Sequence, residues 1–149
     1  MTGRKVAIGI DESAFAEQAF DFYADNVKKE DDYVFLIHTP ERYNVMDASA
    51  TVLQEILDEI KVKVKKLEEK YKKKMAEKGV KSGKFITRQG DPGEAIVHVA
   101  ERENCNLIIT GSRGMGVFRR TILGSVSDYV VHHSPCPVLI CKATEKDHK

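Results

Sequence analysis

Tryptophan is absent from the 149 residues, and the five Tyr and six Phe show none of the basic–aromatic interleaving that stacks nucleic acid bases. Net charge is only +1, so no overall field draws the chain to nucleic acid or to an anionic membrane. No apolar run approaches the length of a membrane span. The apolar stretch that follows Lys5 is cut short by Asp11 and Glu12, too early for a signal-peptide core. Thr2 rather than glycine follows Met1, which removes an N-myristoylation site. Cysteine is scarce: Cys105, Cys136 and Cys141 form no CxxC pair. They read as reduced thiols of a cytosolic protein, small buried hydrophobes rather than redox or metal ligands. These absences lead to the expectation of a cytoplasmic protein with no nucleic-acid or membrane partner.

What is present is ordinary globular material, 42% hydrophobic and 32% charged, in a length that suits one domain. Val6 to Ile10 is a short apolar run that reads as a buried strand. Ser13 is a candidate N-cap for a helix carrying Phe15, Ala19, Phe20 and Tyr23. Tyr33 to His38 reads as a second strand, broken by Thr39-Pro40. Leu53, Ile56, Leu57, Ile60, Val64, Leu67, Tyr71 and Met75 then make one apolar helical stripe, with interleaved Lys and Glu on a solvated face. Gly79 stops that helix.

A third strand is expected over Lys84–Gln89, at an edge. Asp91 and Pro92 then open a helix as N-cap and first residue. Leu107 to Thr110 reads as a fourth strand and Val138 to Cys141 as a fifth, with a helix around Val126, Tyr129 and Val130 between them. Strands alternating with helices in this way predict a doubly wound α/β fold, a parallel sheet with helices on both faces. No second core, linker or repeat is visible, so the expectation is one domain over 1–149, its core about 4–142 and its tail 143–149 charged. The connection from Thr39 to about Ala50 is the only long irregular stretch.

In such a sheet ligands bind beyond the carboxyl ends of the strands, where the winding reverses. The first strand ends Gly9-Ile10-Asp11-Glu12-Ser13 and the fourth Thr110-Gly111-Ser112-Arg113-Gly114. Gly111 and Gly114 lack Cβ, so backbone amides there can approach an anion closely. Gly124 and Ser125 stand where the last helix begins, a second place for phosphate, and Arg113 could clamp one. The same residues also read as a plain glycine-rich turn with Ser125 as a helix cap. The order Gly111, Gly114, Gly116 is not the dinucleotide fingerprint, and no P-loop is present.

The spacing Gly111-x2-Gly114-x9-Gly124-Ser125 resembles the pattern of the ATP-binding class of universal stress proteins. The strand ending at Asp11 and followed by Ser13, Leu36-Ile37-His38, Gly90-Asp91-Pro92 and Pro135-Cys136-Pro137-Val138-Leu139-Ile140 agree with it. The resemblance implies strand order 3-2-1-4-5 in an adenine-nucleotide α-hydrolase-like fold. It also implies an ATP site formed by Gly9, Ile10, Asp11, Thr39, Gly111, Arg113, Gly114, Gly124, Ser125 and Val126. Asp11 would face ribose or adenine, Thr39 would meet adenine through its backbone, and the remaining glycine-segment residues would hold ribose and phosphates. Mg2+ or Mn2+ would accompany the phosphates, and a homodimer would form through Pro137 to Cys141. Thr39 stands where Val is commoner in the family, and Arg113 where Arg and His alternate.

No catalytic constellation stands out. His38 lies at a strand end near the crevice but lacks a partnered nucleophile, and the resemblance makes it an ordinary strand residue; His98 reads as a helix residue, while His132, His133 and Cys136 would form at most a partial zinc site. A nucleotide-dependent stress or regulatory module is the first expectation. Slow metal-assisted ATP hydrolysis through Asp11 is the alternative. A nucleotidyl transferase would carry an H-x-G-H-type signature where this chain has Gly9 to Ser13.

Overall fold

The computed structural model describes residues 3–43, 45–112 and 123–142. Its sheet is built on three strands that are apolar along their length because both of their faces are covered. These are β1 (Lys5–Gly9), β2 (Tyr33–His38) and β4 (Leu107–Gly111). They are joined by β3 (Gly83–Thr87) and β5 (Val138–Cys141) in the parallel order β3-β2-β1-β4-β5. Register pairs Gly9 with Ile37, Ile8 with Ile109 and Gly111 with Cys141, which aligns the carboxyl ends of the central strands. β3 starts one residue and ends two residues earlier than its alternation suggests, and it is largely exposed, as befits an edge.

Helices α1 (Ala14–Phe22) and α2 (Ala50–Glu77) cover one face, burying Phe20, Leu67 and Tyr71 against Val6, Ile8, Val34 and Leu36. Helices α3 (Pro92–Arg102) and α4 (Ser125–His133) cover the other, where Ile96, Val99 and Val130 meet Ala7, Phe35, Ile37 and Ile108. Ser13 caps α1 as the sequence suggests, its hydroxyl accepting from the Ala16 amide at 3.2 Å. Asp91 caps α3 in the same way through the Glu94 amide at 3.0 Å. Ser49 caps α2, whose start therefore precedes the visible stripe. That helix ends in a Schellman turn: Gly79 has φ +73°, and the Val80 amide donates back to the Met75 carbonyl.

The stripe on α2 is only half used. Leu67 is 4% exposed, whereas Leu53 and Leu57 are 38% and 42% exposed. The cause is length. At 1.5 Å per residue the 28-residue helix spans about 42 Å, while a six-residue strand covers about 20 Å, so the first turns overrun the sheet.

At the amino end of the sheet a polar knot closes the fold. Asp32, 4% exposed, accepts from Arg4 Nε (2.9 Å) and Nη2 (2.7 Å), from the Tyr23 hydroxyl (2.7 Å) and from the Lys29 amide (3.0 Å). Burial alone would raise the Asp32 pKa, but these four donors outweigh it and hold the carboxyl below its usual range. Burial and the hydrogen bond to Asp32 push the Tyr23 phenol up. Arg4 Nη2 also donates to the Val27 carbonyl at 3.0 Å, at the end of a π-helical turn, Tyr23–Val27, that continues α1. The turn's wider ladder is seen in the Lys28 amide reaching the Tyr23 carbonyl at 2.8 Å.

Candidate functional site

From β1 the chain winds outward to β2 and β3, then crosses back to β4 and β5, so the switch point lies between β1 and β4. A cleft of about 200 Å³ opens there. Gly9, Ile10, Asp11 and Glu12 form its floor and rim from β1, with Ile37, His38, Thr39 and Glu41 beside them from β2 and the loop after it. Thr110 and Gly111 close it from β4, Pro92 and Ile96 from α3, and Val126 and Ser127 from α4. The adjacency of the first and fourth strands, needed to bring Asp11 and Gly111 to one crevice, is thus met.

Local chemistry fixes each wall. A Cβ on Gly9 would collide with the Ile96 side chain, so glycine lets α3 lie directly over the strand end. Asp11 Oδ1 accepts the Ser13 amide at 2.7 Å, an Asx turn that aims β1 into α1 and leaves Oδ2 without a partner among the described residues. The Ile10 amide donates to the Ile37 carbonyl at 2.9 Å, and His38 Nδ1 lies 3.0 Å from the Ile10 carbonyl. These two bonds tie the ends of β1 and β2 together. The Thr39 hydroxyl oxygen is buried with no hydrogen-bond partner among the described residues.

On the β4 side the Ser112 amide donates to the Cys141 carbonyl at 2.9 Å. The Ser112 carbonyl accepts from the Gly124 amide at 2.7 Å and from the Ser127 hydroxyl at 3.0 Å, which seats the start of α4 against the end of β4. Gly124 is the N-cap of α4, with φ −66° and ψ 162°, a conformation open to any residue. Ser125 is the first helical residue, one place inside the cap position. Among the described residues no side chain caps this helix, whereas Ser13, Ser49 and Asp91 cap α1, α2 and α3.

Of the residues singled out in the sequence, Gly9, Ile10, Asp11, Thr39, Gly111 and Val126 lie on the cleft wall. Gly124 and Ser125 form the α4 head beside it. Arg113 and Gly114 lie outside the described residues. His38 and Thr110, which the sequence places at strand ends near the crevice without a role, also line the cleft, as do Glu41 and Ser127, which it does not single out. They sit at strand and helix ends whose meeting no local pattern announces.

The other histidine and cysteine candidates do not gather into a site. His133 bonds its own helix carbonyl at Tyr129 and stacks on that ring, and His132 stands 3.5 Å from Asp128. The three cysteines are free, and burial pushes the Cys105 thiol up to about 11, far from a reactive thiolate. Among the described residues no group of three His, Cys, Asp or Glu is placed to hold a metal ion. No described helix is long and apolar enough to cross a membrane.

A five-stranded parallel sheet in this order, with a cleft at its switch point, defines the adenine-nucleotide α-hydrolase-like class of folds. The family model described as the universal stress protein family matches residues 3–142, and the chain belongs to that family. It is 34% identical over 146 residues to the universal stress protein YxiE of Bacillus subtilis, covering 93% of this chain and 98% of the relative. Among solved structures it resembles protein MJ0577 with a TM-score of 0.79 and 28% identity, covering 97% of this chain and 99% of that one. It also resembles a universal stress protein family protein from Arabidopsis thaliana with AMP bound, with a TM-score of 0.73 and 22% identity over 98% and 95% of the two chains.

Proposed function

We propose that the chain is an adenine-nucleotide-binding regulatory module that holds ATP across the switch-point cleft. The observation that carries this reading is the division of the cleft into two unlike halves. On the β2 side, Ile10, Ile37 and Ile96 offer an apolar slot, and Asp11 Oδ2 stands at its edge with no partner among the described residues. That suits a flat base and a sugar. On the β4 side, two strands or about 10 Å away, the uncapped head of α4 presents backbone amides and the positive end of its dipole. That suits phosphate. The AMP bound to the Arabidopsis relative supports a nucleoside monophosphate at least as a ligand of this kind of cleft.

Arg113 and Gly114 would join Gly111, Gly124, Ser125 and Val126 around ribose and phosphates. A divalent ion, Mg2+ or Mn2+, would ride chiefly on the phosphates, since such ions commonly keep water and few protein ligands. Asp11 spends one oxygen on the Ser13 turn, which favours holding the nucleotide over hydrolysing it. The exposed edge at β5, Pro137 to Cys141, would pair with a second copy in a homodimer.

Titration calorimetry with ATP, ADP and AMP, with and without Mg2+, tests the site. Heat, a raised melting temperature and at least tenfold weakening in Asp11→Ala are expected, the last about 1.4 kcal/mol. No heat with any of the three sinks the proposal. A monomer in light scattering would refute the β5 pairing.

A further inference from the structure

The cleft and a smaller cavity beneath α2 share one wall. His38, the last residue of β2, lines both, as do Glu12 and Glu41. The smaller space is closed on its far side by Tyr43 and by Ile60, Lys63 and Val64 of α2, with the Lys63 ammonium donating to the Tyr43 hydroxyl at 3.0 Å. Val34 and Leu36, which precede His38 on the same face of β2, are apolar and buried. An apolar side chain would continue that face; an imidazole with 6% exposure needs partners for its nitrogens.

One nitrogen has its partner. Nδ1 lies 3.0 Å from the Ile10 carbonyl, and a carbonyl only accepts, so Nδ1 carries the hydrogen. In the neutral ring Nε2 is therefore a bare acceptor. No group among the described residues donates to it, and the ring that carries it walls the cleft on the β2 side, between Ile37 and Thr39. That side is the one argued above to take the nucleoside, two strands from the α4 head.

We propose that His38 is a specificity-determining residue: its Nε2 accepts a hydrogen bond from the nucleoside half of the bound nucleotide. The donor is the exocyclic amine of adenine or a ribose hydroxyl. The inference rests on the cleft's being an adenine-nucleotide site. It gives the imidazole two separate tasks. Nδ1 locks the strand end that carries Asp11, and Nε2 selects a ligand that brings a donor. A ligand lacking that donor would leave both its own group and Nε2 unpaired, which is how polar sites discriminate most strongly.

The test compares ATP with inosine triphosphate, which carries a carbonyl in place of the amine, and with 2′-deoxy- and 3′-deoxy-ATP. Each is titrated into wild type, His38→Asn and His38→Gln. The Asn amide can stand in for Nδ1 and keep the tie to Ile10, but it places nothing at Nε2; Gln reaches the Nε2 position. Wild type is expected to prefer ATP over one of the analogues by about 3- to 10-fold. That preference should vanish in His38→Asn at an unchanged melting temperature and return in part in His38→Gln. Discrimination against inosine triphosphate identifies the amine as the donor; discrimination against a deoxy analogue identifies a hydroxyl. A preference that persists in His38→Asn, or a wild type that treats all four alike, overturns the proposal. Nitrogen NMR of the wild-type imidazole needs no variant: Nε2 should shift on addition of ATP while Nδ1 stays protonated, and an unmoved Nε2 overturns it equally. A wild type that binds none of the four brings down the cleft reading itself, a different failure from loss of discrimination.

Discussion

The two ends of the sheet handle polar groups in opposite ways. At the amino end the buried polar groups find one another: the Asp32 carboxylate collects four donors, and Arg4 spends its remaining reach on the Val27 carbonyl. At the carboxyl end groups stand unclaimed: the Thr39 hydroxyl, Asp11 Oδ2, His38 Nε2 and the uncapped head of α4. A polar atom left unpaired where a cleft opens is free to bond a ligand, whereas one sealed inside costs free energy. The contrast separates the end that holds the fold from the end available to a ligand.

The sharpest way to break this contrast is Asp32→Ala. It strands a part-buried guanidinium, a buried phenol and an amide, and should lower unfolding free energy in urea by about 3 kcal/mol. Nucleotide affinity of the folded fraction should not change. A loss of affinity without a loss of stability would erase the division. The effect also carries a pH signature. Because the fold depresses the Asp32 pKa, its stabilisation is complete above the ordinary carboxylate value and is lost as pH falls through the lower, folded one. The gap between wild type and variant should therefore narrow below about pH 4.

Tyr23→Phe comes next. Removing a hydroxyl bonded to a charged carboxylate should cost about 2 kcal/mol, read by the same denaturation. Ser125→Asp acts at the other end. A carboxylate in the first turn of α4 should raise stability by about 0.3–1 kcal/mol through the helix dipole, yet weaken ATP by repelling its phosphates. Calorimetry and thermal melting should thus move in opposite directions; movement in the same direction would count against the α4 head as the phosphate seat. The smallest effect is expected for Thr39→Val, which removes a hydroxyl with no partner among the described residues. Its stability should stay within about 0.5 kcal/mol of wild type, in contrast to Tyr23→Phe.

What the sequence makes legible follows from which forces are local. β2 can be read to its boundaries because its two covered faces demand an unbroken apolar run from Tyr33 to His38. Ser13 and Asp91 are readable caps because each bonds an amide three residues away. The π-helical turn has no such signature; it is bracketed by Arg4, which arrives from far along the chain. The half-used stripe on α2 is equally hidden, because periodicity reports a helix face but not how far the sheet beneath it extends. At the site, Asp11 and Gly111 could be picked out by residue type and by resemblance. His38 could be placed near the crevice but not given a task, since its meaning depends on the Ile10 carbonyl of a neighbouring strand.

The bond between the Gly124 amide and the Ser112 carbonyl has one further consequence. It joins the two sides of the glycine segment at their roots, so the frame is complete before whatever lies between them is considered. A stretch hung from such a closed root can be exchanged, lengthened or recomposed without disturbing the strands. The seat of α4 and the pairing of β4 with β5 are thus set by residues on either side of that segment.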